Sequence, residues 1–349
     1  MTATGSTQDL LSSLLSRVSR SFYLSLRILP REVRQPIGVA YLFCRAADTI
    51  ADTALLPAEQ RLACLDRYRR GFSEDPAAIP PIFPGQLLDS QQNPDERELL
   101  LRLPDCFAVL AGLPREDRRY IRELVLTLTQ GMQMDLRLFP SEDSGTLAAL
   151  ETRADLDRYT YFVAGCVGEF WTKVTTAHVP SLQSWNVDEM AVRGVRFGKG
   201  LQLTNILRDI AQDVRIGRCY LPREGLARLG VCPEELLDSR TLTRVKPLLL
   251  TLLDETLALY RDGWRYTLAI PPREWRLRLA CAWPLLIGLA TLAAVKNASH
   301  LLEPTMRVKI SRRQVYRILF RSLVAVWSDS ALDGYYRQLL GRLADGKVV

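Results

Sequence analysis

Apolar residues recur at helical spacing along most of this chain, and no segment alternates persuasively between apolar and polar residues. A helix with one buried face needs an apolar residue about every 3.6 positions, whereas a half-buried strand needs one at every second position. Leu and Ala dominate the periodic stretches, and runs of β-branched residues are short. The sequence therefore predicts an all-α protein of about ten or more helices.

Breaks rich in Pro and Gly separate the periodic stretches, among them residues 75–85, 139–145 and 217–225. None of them is long or polar enough to be an interdomain linker, and no internal repeat of about 20–50 residues is visible. The length of 349 residues allows two domains by size alone. We nevertheless predict a single domain over residues 1–349.

Composition excludes several classes of protein. Hydrophobic residues make up 48% and charged residues 24%, which is typical of a globular chain and not of a disordered, collagen-like or multi-span membrane protein. The net charge is +7, and only six of the 46 basic residues are lysines. Arginine suits forked recognition of phosphate or carboxylate, so we expect an anionic partner, although codon bias would explain the same composition. No run of five like charges and no nucleic-acid-binding signature occurs, so nucleic acid is not expected.

The seven cysteines are widely spaced and include no Cys-x-x-Cys pair, which indicates a reducing compartment. The first residues lack the basic start and apolar core of a signal peptide, so we expect a cytoplasmic location.

An uncharged run over 279–295 reaches only the lower limit for a membrane span, ~17 residues. Because this run contains Pro284 and Gly288, we expect a buried helix that lines an apolar cavity.

The first of two acidic motifs is 48-DTIAD-52, at the end of the segment 41-YLFCRAAD-48. On a helix, Tyr41, Arg45, Asp48 and Asp52 fall within an arc of about 60°. The intervening residues are almost all apolar, whereas an exposed helix is polar over about half of its circumference. This pattern predicts a buried helix with one polar stripe.

The second motif, 209-DIAQD-213, repeats this arrangement. Gln202, Asn205, Asp209 and Asp213 share an arc of about 80° on an otherwise mostly apolar helix. Its stripe again carries two carboxylates, one turn apart.

We expect both carboxylate pairs to be buried, and buried carboxylates must be paired or bind metal. Hard oxygen ligands suit Mg²⁺, which binds through one or two carboxylates together with phosphate oxygens. Asp48, Asp52, Asp209 and Asp213 are therefore the candidate metal ligands. The alternative is a purely structural role, with salt bridges from Arg45 and Arg208 neutralising the aspartates.

The two motifs and their flanks, residues 19–52 and 198–222, resemble the two signatures of the squalene/phytoene synthases. The segment 158-RYTYFVAGCVG-168 is also similar to that family, and the resemblance covers a core of about residues 15–320. It implies the all-α isoprenoid synthase fold, with helices around a central active-site cavity. In that fold two Asp-rich helices hold Mg²⁺, with Mn²⁺ as a substitute, and the metal binds a prenyl diphosphate.

The resemblance also implies roles for individual side chains. Tyr161 matches a tyrosine that assists deprotonation, and several arginines match contacts to phosphate. The implied catalytic residues are Tyr161, Tyr41, Arg45 and Arg208. The implied substrate-binding residues are Arg20, Phe22, Gln202, Asn205 and Arg218, of which Gln202 and Asn205 support the second metal site.

Within the family, residues 281–297 resemble the Cys-Ala-x-Pro…Ala-Thr-Leu pattern of squalene synthases. Residues 307–314 resemble their Val-Lys-Ile segment, which implies that Lys309 contacts the phosphate of NADPH and that Arg312 supports it. A solvated basic loop is the alternative interpretation. Because no G-x-G-x-x-G follows a strand, NADPH would not bind to a Rossmann unit.

The resemblance therefore implies a squalene synthase, a prenyltransferase that joins two farnesyl diphosphates head to head through presqualene diphosphate and then reduces the product with NADPH. One alternative is a phytoene- or dehydrosqualene-type synthase that does not use NADPH. Another is a catalytically inactive helical scaffold or lipid-binding protein. No obligate protein partner is evident, and a peripheral membrane contact is expected because the chain is basic and the product is insoluble in water.

Overall fold

The computed structural model describes residues 10–19, 23–53, 56–73, 85–139 and 145–345. The α-helices found there are α1 (Leu15–Val18), α2 (Tyr23–Ile28), α3 (Arg31–Ala51), α4 (Ala58–Arg70), α5 (Gly85–Asp89), α6 (Pro94–Leu101), α7 (Leu103–Ala111), α8 (Arg115–Leu138), α9 (Arg153–Thr160), α10 (Cys166–His178), α11 (Val187–Asp213), α12 (Arg223–Ala227), α13 (Leu242–Ala269), α14 (Trp275–Asn297), α15 (Arg312–Ala325) and α16 (Asp329–Ala344). Two π-helical turns, Leu10–Leu14 and Tyr161–Gly165, and several short 3₁₀ turns complete the helical structure.

Strand structure in the described residues is limited to two segments of two residues each. β1 (Ala148–Ala149) pairs in parallel with β2 (Arg218–Cys219), with Ala148 opposite Arg218. The predicted all-α class is therefore confirmed.

Contacts divide the chain into two compact units. The first comprises Met1–Arg137 and Glu169–Val187, and the second comprises Leu138–Gly168 and Asp188–Val349. The single domain that the sequence suggested stays a prediction.

The first unit packs around an aromatic cluster. The Phe43 ring on α3 meets the edges of Phe72 and Phe107, with ring centroids 4.9 and 5.0 Å apart. The buried Tyr68 hydroxyl donates to the Phe43 carbonyl at 2.8 Å. Such edge-to-face pairs add specificity to the apolar burial, so the inner face of α3 is fixed at its midpoint.

The second unit is built around α14, which is buried along nearly its whole length. On its neighbours, the Trp264 and Tyr336 rings stack with centroids 4.3 Å apart. A Cβ atom added to Gly288 would lie 2.0 Å from the Tyr260 hydroxyl, so α14 and α13 approach closely at this glycine.

One helical segment, Pro272–Asn297, is long and apolar enough to cross a membrane by length and composition alone. Of its most apolar window, 78% is buried inside the protein, which makes it weak evidence for a span. The burial that the sequence predicted for 279–295 is confirmed.

Helix α14 also buries a full charge. The Arg278 side chain is fully enclosed; its Nη1 donates to the Val326 carbonyl at 3.4 Å, and its Nη2 pairs with Asp329 at the start of α16. The sequence did not indicate this ion pair. Arg278 lies just before the uncharged run 279–295, and its partner Asp329 lies 51 residues away in the chain.

Replacing Asp329 with Ala is expected to lower the free energy of unfolding by about 1–2 kcal/mol, because the enclosed guanidinium would lose its charged partner, while the Asp329 side chain itself is 64% exposed. Urea unfolding followed by circular dichroism measures this loss. Asp254→Ala on the exposed side of α13 is the control, with an expected change within about 0.5 kcal/mol. The double variant Arg278→Met/Asp329→Ala should recover most of the stability, because no unpaired charge is left in the core. An Asp329→Ala variant as stable as wild type would contradict the expected effect.

Candidate functional site

The first acidic motif lies on the last turns of α3, and its polar side chains form the predicted stripe. Tyr41, Arg45 and Asp48 are half-buried and Asp52 is exposed. The residues between them are mostly buried, since the other faces of α3 pack into the first unit. The helix and its polar stripe are therefore as the sequence predicted.

The end of α3 that carries the motif is held by buried polar groups. Arg61 Nη1 donates to the Ala51 carbonyl at 2.9 Å, which satisfies one of the last acceptors of the helix. The Thr53 hydroxyl donates to the Thr49 carbonyl at 2.6 Å and accepts from the Gln91 amide. These bonds fix the backbone on which Asp48 and Asp52 stand.

Charge is unevenly compensated along this stripe. Desolvation by surrounding protein, followed by the negative charge of Asp52, raises the pKa of Asp48 to about 7, and Arg45 opposes this rise. Arg45 Nη1 lies 4.0 Å from Asp48, whereas Nη2 bonds directly to Glu96 on α6. The sequence analysis did not predict this contact with Glu96. Arg45 lies closer to Glu96 than to Asp48.

The second motif lies at the end of α11, where Gln202, Asn205, Asp209 and Asp213 are all half-buried. Buried Leu203, Thr204, Ile206, Leu207, Ile210 and Ala211 separate them. The predicted stripe is therefore present on this helix too.

Within this stripe, Arg208 makes two hydrogen bonds to its neighbour Asp209. Nε donates to Oδ1 at 2.8 Å, and Nη2 donates to Oδ2. The Asp209 hydrogen bond is the main reason that the pKa of Arg208 is raised. The Asn205 amide lies 3.5 Å from the Gln202 carbonyl oxygen, at the limit of a hydrogen bond.

Beyond Asp213 the chain turns sharply into β2. A 3₁₀ turn over Val214–Ile216 ends at Gly217, whose φ of 82° is left-handed and suits glycine. The Ala148 amide donates to the Gly217 carbonyl at 3.0 Å. This turn fixes Arg218, a predicted substrate contact, at the first position of β2.

Tyr161 opens the π-helical turn Tyr161–Gly165, between α9 and α10, and its side chain is half-buried. The turn packs directly on α11. A Cβ atom added to Gly198 would lie 2.2 Å from the Ala164 carbonyl oxygen, so the two backbones touch there. π-turns inside α-helices are frequent at functional sites.

Lys199 was not among the site residues predicted from the sequence, but it lies beside Tyr161. Its Nζ is 5.8 Å from the Tyr161 ring centroid and 2.8 Å from both carboxylate oxygens of Asp157. The available signal was the Gly198-Lys199-Gly200 triplet, which places one of the rare lysines between two small residues.

The two predicted NADPH contacts, Lys309 and Arg312, are both exposed. Lys309 lies in the loop after α14, and Arg312 is the first residue of α15. The Ser311 side chain caps that helix by accepting from the Gln314 amide at 3.2 Å. Two further predicted contacts, Arg20 and Phe22, lie outside the described residues.

The expected burial of the four aspartates is wrong. The Asp48 side chain is 45% exposed and that of Asp209 is 35% exposed, because only the remaining faces of their helices are packed. Surrounding protein still raises the pKa of Asp48, yet nearly half of its side chain reaches solvent, so the stripes are accessible to an ion from solvent.

The donor chemistry nevertheless fits Mg²⁺. In the described part of the chain, no three His, Cys, Asp or Glu side chains form a metal cluster. Mg²⁺ does not need one, because it retains waters and binds through one or two carboxylates together with phosphate oxygens. Each aspartate pair, with its hard oxygen donors one helical turn apart, suits that mode of binding.

Comparisons with known proteins agree with the resemblance. A family model described as squalene/phytoene synthase matches residues 15–314. A bifunctional lycopene cyclase/phytoene synthase of Phaeosphaeria nodorum is 31% identical over 265 residues, 75% of this chain and 42% of that protein. A presqualene diphosphate synthase of Zymomonas mobilis is 32% identical over 226 residues, 64% of this chain and 63% of that protein. The chain thus spans less than two thirds of the length of these relatives.

Solved structures share the fold. TcSQS in complex with the ligand E5700 aligns with a TM-score of 0.80 at 23% identity, covering 97% of this chain and 91% of that one. Squalene synthase HpnC from Alicyclobacillus acidocaldarius aligns with a TM-score of 0.59 at 24% identity, covering 90% of this chain and 95% of that one. The predicted all-α isoprenoid synthase fold is confirmed.

Proposed function

Because this chain belongs to the squalene/phytoene synthase family, we propose that it is a squalene synthase acting on two molecules of farnesyl diphosphate. The family is one of prenyltransferase-like isoprenoid synthases that bind prenyl diphosphates and generally use a divalent metal. The observation that carries the proposal is the pair of accessible aspartate stripes, each on a helix that is otherwise packed. Each stripe supplies two carboxylates of the type that Mg²⁺ or Mn²⁺ needs beside a diphosphate.

In this proposal Asp48 and Asp52 bind metal at the first motif, and Asp209 and Asp213 bind metal at the second motif. Bound Mg²⁺ supplies electrostatic stabilisation of the diphosphate as the allylic C–O bond breaks. Arg208 orients Asp209 through its two hydrogen bonds, and Arg45 contributes positive charge beside Asp48. Preorganised charges of this kind act where negative charge develops on the leaving group.

The carbon skeleton needs a different environment, because an allylic cation must be kept from water. Tyr41 and Tyr161 are half-buried and offer ring faces that stabilise a nearby cation. Tyr161 also carries a hydroxyl for proton transfer. Gln202 and Asn205 supply neutral amides that support the second metal site, and Arg218 is assigned to a phosphate oxygen.

The reductive step is proposed for the basic loop before α15. Lys309 and Arg312 are exposed and have no acidic partner among the described residues, so their charges suit the phosphate of NADPH. NADPH held by these two residues would supply a hydride to the carbon skeleton of presqualene diphosphate as its diphosphate leaves, which would give squalene.

Product analysis with and without NADPH tests this assignment. With farnesyl diphosphate and Mg²⁺, we expect squalene only when NADPH is present, and we expect Lys309→Ala to raise the KM for NADPH about tenfold through the loss of one charged contact. Lys246→Ala on α13 is the control. Dehydrosqualene or phytoene formed equally with and without NADPH would contradict the squalene assignment while leaving the prenyltransferase assignment intact.

A second candidate function is synthesis of presqualene diphosphate without reduction, which is favoured by the Zymomonas mobilis relative of that name. The same experiment separates the two candidates. Accumulation of presqualene diphosphate in the presence of saturating NADPH would favour this second function. Binding of farnesyl diphosphate without turnover would instead favour an inactive scaffold.

A further inference from the structure

Helix α15 and the turn after it expose a row of large apolar side chains to solvent. We call Tyr316, Phe320, Leu323, Val324 and Trp327 the apolar stripe. Their exposed fractions run from 43% for Leu323 to 69% for Phe320. At helical spacing the four on α15 fall within an arc of about 100°, and Trp327 follows in the turn after the helix. A contiguous exposed apolar patch of this kind marks an interaction surface, whereas single exposed apolar residues are normal.

The opposite side of α15 packs on the core, and this packing fixes the apolar stripe on the solvent side of the helix. Ile318 and Ser322 are buried, at about 160° on either side of Phe320. The Trp283 indole on α14 donates to the Ser322 hydroxyl at 3.0 Å. The helix is therefore locked with its apolar stripe facing outward.

Hydrogen bonds to the buried Arg278 hold Trp327 on the outside of the protein. The residues around it are anchored by Arg278, which bonds to the Val326 carbonyl on one side and to Asp329 on the other. Its ring lies against Trp275, with centroids 5.5 Å apart, and more than half of it stays exposed. A tryptophan so placed suits the boundary between water and lipid, where one part of the ring is apolar and the other is polar.

Charge indicates what covers the apolar stripe. Residues 304–328 contain no Asp or Glu and carry six basic residues: Arg307, Lys309, Arg312, Arg313, Arg317 and Arg321. A second copy of this chain would bring the same basic segment against itself, and like charges in contact disfavour association. An anionic lipid surface is complementary to both features, since basic and apolar side chains on one helix are typical of interfacial binding.

We propose that the apolar stripe and its flanking arginines bind the headgroup region of an anionic lipid bilayer, with α15 lying along the surface and no helix crossing it. The stripe enters the boundary of the acyl chains, and Arg317 and Arg321 contact the headgroup phosphates. This inference rests on the surface of the second unit alone and does not depend on the proposed reaction.

Vesicle co-sedimentation of the full chain, without substrate, tests the proposal. We expect binding to vesicles of equal parts phosphatidylcholine and phosphatidylglycerol, and at least about tenfold weaker binding to phosphatidylcholine alone. Phe320→Ser/Val324→Ser should weaken binding to the anionic vesicles about tenfold or more, and Arg317→Gln/Arg321→Gln should remove the preference for them. Val192→Ser, which alters an equally exposed apolar residue on α11, should bind like wild type.

Quenching of tryptophan fluorescence by brominated lipid provides a second readout, and its first measurement is on the wild-type chain alone. We expect quenching in the wild type, weaker quenching in Trp327→Phe, and its loss in Trp275→Phe/Trp327→Phe, because these two rings are neighbours. Absence of quenching in the wild type, or equal vesicle binding by all the variants, would overturn the proposal. So would a dimer, seen by light scattering, that dissociates on Phe320→Ser/Val324→Ser while the wild type ignores vesicles.

Discussion

Replacing Asp48 or Asp209 with Asn is expected to lower the turnover of farnesyl diphosphate by about 10²–10³-fold, the usual cost of losing one preorganised group that stabilises transition-state charge. Asn keeps the shape of the side chain but removes the negative charge that a metal ion needs. Both side chains are partly exposed, so the substitution leaves the packing of α3 and α11 intact. Release of inorganic diphosphate, followed over a range of Mg²⁺ concentrations, measures the loss.

Each helix offers a matched control. Glu32→Gln on α3 and Asp188→Asn on α11 remove an exposed carboxylate near the start of the same helix. We expect both controls to keep wild-type turnover and the same requirement for Mg²⁺. Full activity of Asp48→Asn together with Asp209→Asn would refute the metal-binding role and leave the structural role, with its arginine ion pairs, as the better explanation.

The second large effect concerns folding. Gly198→Ala is expected to lower the free energy of unfolding by about 3 kcal/mol or more, because the new methyl group would overlap backbone that has no room to move. Its Cβ would lie 2.2 Å from the carbonyl oxygen and 2.8 Å from the carbonyl carbon of Ala164. Urea unfolding monitored by circular dichroism gives the change.

A graded series separates this steric effect from the general effect of glycine on helices. Gly165→Ala would meet side-chain atoms of Tyr161 and Val195 at 3.1 and 3.2 Å, so we expect a smaller loss, about 1 kcal/mol. Gly341→Ala in α16 meets nothing within 4 Å and should gain about 0.5–1 kcal/mol through helix propensity. If Gly198→Ala were as stable as Gly341→Ala, the close approach of the two backbones would be wrong.

The sequence predicted the parts of the candidate site that depend on local periodicity. Both acidic motifs lie on helices, and their polar residues line one stripe, because about 100° per residue is a property of any α-helix. The burial of 279–295 followed equally well from its hydropathy. These features need no knowledge of neighbouring elements.

The features that were missed depend on residues far apart in the chain. Glu96 lies 51 residues from Arg45, and Lys199 lies 42 residues from Asp157, so neither contact leaves a periodic trace in the sequence. The exposure of Asp48 was missed for a related reason: hydropathy predicts that a helix is packed, but it does not show which strip of the helix is left uncovered. Assignment of ligands and substrates to individual residues stays a prediction for the experiments above.

The π-helical turn at Tyr161–Gly165 has a consequence for how this region tolerates change. A π-turn accommodates one residue more than the α-helical ladder requires, and each residue rotates the helix by about 100°. Deleting a single residue there would restore a regular helix and rotate the residues before the deletion by about 100° relative to those after it, so the Tyr161 ring would no longer face Lys199. The direction in which this ring points is thus set by the number of residues in the turn.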